Sequence, residues 1–333
     1  ACLAAMIGLT VLKSPSTSPV PSRTSFMAGF SGGEHVWSKT VAVRVEDIAE
    51  RNGVTYATGS GSWQTYQPNP TIISYGNSGG AVFLVRLDED GEPVWVFQGS
   101  GSTGQSVATT PDGGAVICGR SGNGGIDFGA GPVAESNYGG FAARLGPDGA
   151  HRWSRGFDQS TGIRFLAGIA VSPNESVFLS GRTQDDAVFG TPVDSPYGSG
   201  AFVAKLSDSG AALWAKVLPT GSNGADARAD AVLATADGGC VLAGSIPSPV
   251  NLGSGPLGRE GRTSAVFARF DSDGNLLWSR DIQGEGDVLP TSADLAPDGS
   301  ILVLGEFTGR IDFGRGVEIS RGEKDIFLMK LRP

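Results

Sequence analysis

The chain has 333 residues, a formal net charge of −9 and 52 glycines, about twice the usual share. Acidity without a Lys/Arg cluster argues against a nucleic-acid partner. Three scattered cysteines and only two histidines argue against a disulfide framework and against zinc chemistry. Disorder is a poor account of the glycine, because charge is sparse and no low-complexity tract is present; an all-β fold with many tight turns is a better one.

In chain order, residues 1–33 come first and show no copy of the pattern that follows. Cys2 to Leu12 is the longest apolar stretch; it is too short to span a bilayer and contains Gly8 and Thr10, so no transmembrane helix is expected. It reads as the remnant of a secretion signal, as an extended arm, or as a poorly ordered end. The Ala1-Cys2 start is similar to the end of a lipoprotein cleavage site, where the cysteine carries the lipid. Residues 1–33 are therefore expected to be an arm or linker, and residues 34–333 one repeat domain.

The repeat is anchored on Trp37, Trp95, Trp153, Trp214 and Trp278; Trp63 falls outside the series. Each later tryptophan sits four residues after a glycine: Gly91, Gly149, Gly210 and Gly274. Four residues before each glycine stands an apolar residue (Leu87, Leu145, Leu206, Phe270), preceded by a basic one: Arg86, Arg144, Lys205 and Arg269. Lys330-Leu331 is a further copy at the end of the chain. Alternation in Phe83-Leu84-Val85-Arg86-Leu87 predicts a strand, the glycine a turn with positive φ, and the tryptophan segment the returning strand. A second hairpin is predicted at Asn52-Gly53, Asp112-Gly113, Asn174-Glu175, Asp237-Gly238 and Asp298-Gly299. Glu175 in place of glycine predicts a different or strained turn. Each of these turns precedes another recurrent glycine: Gly59, Gly119, Gly181, Gly244 and Gly305.

Four strands per unit of roughly sixty residues predict a β-propeller blade, with almost no helix anywhere. The first unit opens on the Trp37 strand without the strand that should precede it, and the last ends on that strand, Asp325 to Leu331. The expectation is an all-β, five-bladed β-propeller of four-stranded antiparallel blades, the last closed by the N- and C-terminal strands so that no edge stays open.

The third segment of a unit reads Gly125-Ile-Asp-Phe-Gly-Ala-Gly-Pro-Val133 in one copy and Arg310-Ile-Asp-Phe-Gly-Arg-Gly-Val317 in another, with weaker forms at 188–193 and 250–257. Together with the basic-apolar, Asp-Gly and Trp pattern, this resembles the bacterial β-propeller repeat proteins of the SBBP type, common among predicted secreted and outer-surface proteins of myxobacteria. The resemblance covers residues 34–333. It implies the fold and an extracellular or cell-surface location, and it carries no shared catalytic residues. The first unit departs most: Gly61 to Asn77, with Trp63 and Tyr66, replaces the phrase and is a candidate interaction loop beside the blander reading of an ordinary insertion.

No catalytic or cofactor motif stands out. The Gly-Ser runs near residues 59–62 and 99–102 do not match a serine-nucleophile pattern. His35 and His151 both lie two residues before an anchor tryptophan, which makes them equivalent strand positions. Asp88-Glu-Asp-Gly91 and Asp271-Ser-Asp-Gly274 superficially look like calcium loops, but the returning strand follows at once and turn formation accounts for the acids. The leading function is a non-catalytic binding or structural module outside the cell, gripping a protein or glycan, or copies of itself through residues 1–33. The alternatives are a carbohydrate-binding lectin, for which Tyr138 and Tyr197 are the thin support, and a propeller-type glycoside hydrolase with acids drawn from several blades.

Overall fold

The computed structural model describes residues 2–7, 25–31, 34–41, 43–61, 81–122, 124–133, 139–157, 163–183, 187–188, 191–192, 200–219 and 227–332. Every regular element among them is a strand. The chain divides into two compact units, residues 1–158 and 159–333.

The first unit opens with a three-stranded sheet in the order β1 (Cys2–Ile7), β2 (Ser25–Ser31), β3 (Glu34–Val41). Blade 1 follows as β4 (Arg44–Arg51), β5 (Val54–Ser60), β6 (Val82–Leu87) and β7 (Pro93–Gly99), paired in that order. Blade 2 is β8 (Thr103–Thr109) and β9 (Ala115–Arg120), a small hairpin of β10 (Ile126–Asp127) and β11 (Pro132–Val133), then β12 (Gly140–Leu145) and β13 (His151–Phe157). Its sheet runs β8-β9-β12-β13, with the hairpin a separate pair.

The second unit repeats this plan. Blade 3 is β14 (Ile163–Val171), β15 (Val177–Thr183), the hairpin β16 (Ala187–Val188) and β17 (Thr191–Pro192), β18 (Gly200–Leu206) and β19 (Ala212–Pro219). Blade 4 is β20 (Arg228–Ala234), β21 (Cys240–Ile246), the hairpin β22 (Val250–Asn251) and β23 (Pro256–Leu257), β24 (Ser264–Phe270) and β25 (Leu276–Ile282). Blade 5 has three strands, β26 (Val288–Leu295), β27 (Ile301–Phe307) and β30 (Asp325–Leu331), with the hairpin β28 (Arg310–Asp312) and β29 (Val317–Ile319) between the last two. The fold class is the expected one, an all-β, five-bladed β-propeller of antiparallel blades.

The turns behave as their residues require. Gly91, Gly149, Gly210 and Gly274 all take positive φ, between 74° and 82°, where a side chain would be strained. Glu175 is held at φ 63°, the strained turn predicted from the missing glycine. The family-like phrase is the small hairpin. In blade 2, Asp127 Oδ1 accepts the amides of Gly129 and Gly131 at 2.7 and 3.0 Å, and Asp312 does the same for Gly314 and Gly316 at 2.7 and 3.2 Å in blade 5. Ile126, Phe128 and Ile311 are buried beside these turns, so the phrase is a folding device, with its acid spent on backbone donors.

The recurrent glycines of each second strand answer to a bulge in each first strand. The register shifts between Val45 and Asp47, Gly104 and Ser106, Leu166 and Gly168, Ala229 and Ala231, and Pro290 and Ser292. Opposite these bulges stand Gly59, Gly119, Gly181, Gly244 and Gly305. A Cβ on any of them would lie 1.9–2.5 Å from a first-strand carbonyl oxygen, well inside van der Waals contact.

One expectation is corrected. Among the described residues β3 pairs with β2, and β30 pairs with β27. The first unit does have a strand ahead of Trp37, namely Ser25–Ser31, and its register repeats the bulge of the other blades, between Gly29 and Phe30. It escaped sequence recognition because Gly29 occupies the place of the basic residue and the turn to Trp37 is one residue shorter.

Candidate interaction surface

Within each unit the blades are joined by the tryptophans. The Trp37 ring lies on Gly91 of blade 1, the Trp95 ring on Gly149 of blade 2, and the Trp214 ring on Gly274 of blade 4, so close that a Cβ on those glycines would meet the ring at 2.6–3.2 Å. The indole N–H completes the clasp: Trp95 Nε1 donates to Pro147 O at 2.9 Å and Trp214 Nε1 to Ser272 O at 3.0 Å. Trp153 is buried opposite Arg144, and Trp278 lies under the Arg280 guanidinium at 5.3 Å. Trp37, Trp95 and Trp214 thus pack on Gly91, Gly149 and Gly274 between neighbouring sheets.

The basic residue beside each tryptophan has two uses, decided by one position of the other hairpin. Where that turn carries aspartate, the cation stays in its own blade: Arg144 reaches Asp112 at 3.2 Å, Arg269 reaches Asp237 at 2.5 Å, and Lys330 reaches Asp298 at 2.7 Å. Where the turn carries Asn52 or Asn174, the cation crosses to the next blade. Arg86 Nη1 donates to Pro147 O at 2.9 Å, and Lys205 Nζ donates to Gly238 O and Ser272 O at 3.0 and 2.9 Å.

The hydroxyl of Thr235, and then Arg269, hold the Asp237 carboxyl down from its ordinary 3.8 to about 2. A depressed carboxylate stabilises the fold above its unfolded-state value, and that stabilisation is lost as pH falls through the folded one. Asp237→Asn is therefore expected to have a lower urea midpoint than the natural protein at pH 7, with the gap narrowing as pH falls from about 4 towards 2. A gap unchanged across that range rules out the clamp.

The acids and histidines considered for chemistry are engaged in the fold. Asp88 Oδ1 accepts the amides of Asp90 and Glu92 at 3.0 and 2.8 Å, and Asp271 Oδ1 those of Asp273 and Asn275 at 2.9 and 2.8 Å. On the innermost strands, Asp47 accepts from Ile48 N, Ser106 Oγ and Val107 N at 2.7–2.9 Å. Glu46 pairs with Arg44 at 2.6 Å, and Asp230, whose pKa is raised by burial, pairs with Arg228 at 3.1 Å. His151 Nε2 lies 3.1 Å from Ser154 Oγ, and His35 and His151 occupy the same register position of β3 and β13. Trp63, Tyr66, Tyr138 and Tyr197 lie outside the described residues.

The surface that stands apart is on blade 5. One face of its sheet, with Ile301, Val303, Phe307 and Phe327, packs against Val241, Ala243, Ala265 and Phe267 of blade 4. The opposite face exposes Leu302 (38%), Leu304 (43%), Ile326 (75%) and Leu328 (74%). By register, these four match Tyr56, Thr58, Val82 and Leu84 of blade 1 and Val241, Ala243, Ala265 and Phe267 of blade 4. In those blades all four positions are at most 2% exposed, because the next blade covers them. The blade 5 residues are apolar at the same register positions.

The blades and clasps define a repeat protein of the β-propeller class. No family model and no curated protein matches the chain. Among solved structures it is similar to a protein of unknown function from Bacteroides caccae, with 14% identity and a TM-score of 0.40 over 80% of this chain and 73% of that one. It is also similar to a GH43 glycoside hydrolase engineered for both endo-xylanase and exo-arabinofuranosidase activity, with 12% identity and a TM-score of 0.37 over 87% and 51% of the two chains. A puromycin hydrolase mutant is similar at 13% identity and a TM-score of 0.31, over 92% of this chain and 50% of that one.

Proposed function

We propose that this protein is a secreted or surface-exposed, non-catalytic module of the SBBP-like type that binds a macromolecular partner or builds a structure outside the cell, with the N-terminal residues 1–33 as an arm for assembly. The engagement of the inner-strand acids Glu46, Asp47 and Asp230 in the fold carries the reading: their oxygens already serve Arg44, Arg228 and backbone or hydroxyl donors. A glycosidase needs one carboxylic acid and one carboxylate facing a sugar instead.

The test is a reducing-sugar assay of the full chain on arabinan, xylan and related polysaccharides, beside fractionation of the producing cells. The expected result is no release above a heat-treated control, with the protein in the medium or on the cell surface. Saturable turnover overturns the non-catalytic reading, and retention in the cytosol overturns the location.

A further inference from the structure

Apart from glycine, only Asn52 and Glu175 among the described residues take positive φ, at 53° and 63°. Asn52 is followed by Gly53 at φ 81°, and Arg51 pairs with Val54, so a two-residue type I′ turn joins β4 to β5. Both turn residues are exposed, and a Cβ on Gly53 would meet nothing within 4 Å. The turn therefore has room to change its backbone angles. The Gly53 amide donates to Glu50 Oε1 at 2.6 Å. A backbone nitrogen thus follows a side-chain carboxamide directly, and a carboxylate already holds that nitrogen's proton. These are the parts of a nucleophile with its base.

The sibling blades show that an acid is acceptable at this position. Asn52 lies seven residues before Gly59, as Asp112, Asp237 and Asp298 lie seven before Gly119, Gly244 and Gly305. Those aspartates hold Arg144, Arg269 and Lys330. In blade 1, Arg51 Nη1 and Arg86 Nε are buried without a hydrogen-bond partner among the described residues. A carboxylate in place of the Asn52 amide would bring negative charge to a turn that has cations to receive it, so the folded chain can take the change.

We infer that Asn52-Gly53 is a site of spontaneous covalent modification, with Glu50 as the base that starts it. Glu50 takes the Gly53 N–H proton, the nitrogen bonds to Asn52 Cγ, and Nδ2 leaves with that proton as ammonia, closing a cyclic imide. A water molecule then adds to one of the two imide carbonyls, the ring C–N bond at that carbon breaks, and the nitrogen recovers a proton. Opening at Cγ gives aspartate. Opening at the main-chain carbonyl gives isoaspartate, which lengthens the backbone of the turn by one carbon. Either way one water enters and one ammonia leaves, with no change of oxidation state.

The full chain is kept folded at neutral pH, digested at intervals, and the peptide containing Asn52 is weighed and fragmented to place the change. Asn123-Gly124 and Asn223-Gly224, whose asparagines lie outside the described residues, are counted separately. The expected result is conversion of Asn52 to a mixture of the two acids, with isoaspartate detected by enzymatic methylation and the Asn52→Asp variant marking the aspartate product. Glu50→Gln is the decisive variant, because its amide oxygen still accepts the Gly53 N–H but does not take the proton. The folded rate should fall about tenfold or more in Glu50→Gln. In urea, where Glu50 no longer sits on Gly53, the two rates should be equal. An unchanged Asn52, or equal folded rates with and without the Glu50 carboxylate, overturns the proposal. Matching circular dichroism of the variant and the natural protein shows that a slower rate does not come from a changed fold.

Discussion

Gly244→Ala is expected to destabilise the second unit by about 3 kcal/mol, seen as a drop in thermal midpoint of roughly 6–12 °C. The added Cβ would stand 1.9 Å from Arg228 O and 2.9 Å from its carbonyl carbon. The obstacle is backbone, so no rotamer change relieves it; the bulge of β20 must straighten, which turns the strand's following residues to the other face. Gly322→Ala is the control, because the space around that glycine is open and its nearest atom is 3.9 Å away. The control should fall within about 0.5 kcal/mol of the natural protein. Equal midpoints for the two variants would show that the glycines of the second strands are not required by the bulges.

Trp95→Ala is expected to cost about 3 kcal/mol, and Trp95→Phe about 1 kcal/mol. Alanine removes the ring that covers Gly149 and meets Tyr56 at a centroid distance of 5.6 Å. Phenylalanine keeps most of that contact and loses only the indole bond to Pro147 O. That carbonyl still accepts from Arg86 Nη1, so it is not left bare, which keeps the second cost small. Tyr56 reports the same interface from the other side. Its hydroxyl donates to Gly113 O at 2.9 Å, and burial raises its pKa to about 12. Titration of Tyr56 nearer its ordinary 10.0 is expected in Trp95→Ala and not in Trp95→Phe, measured by ultraviolet difference absorption. Equal costs for both substitutions would rule out the ring as the source of the clasp.

The strands, turn glycines and blade count were legible because they follow from local rules that repeat. Alternation fixes a strand, Asp-Gly fixes the turn, and a tryptophan four residues after glycine fixes the returning strand, with five copies to average over. The use of each basic residue was also legible in principle, since aspartate or asparagine in the neighbouring turn decides whether the cation stays in its blade. Ser25–Ser31 was missed because it departs from the motif at the two positions that define it. The candidate loop with Trp63 and Tyr66 gained no account, since it lies outside the described residues.

The sequence by itself determined the second, third and tryptophan strands of the blades and the turns between them, because side-chain period and turn chemistry act within a few residues. Only the tertiary structure decided why the glycines of the second strands recur. A carbonyl's approach to a neighbouring strand and the cover over a sheet face depend on atoms that are distant in the chain, where local pattern carries no information.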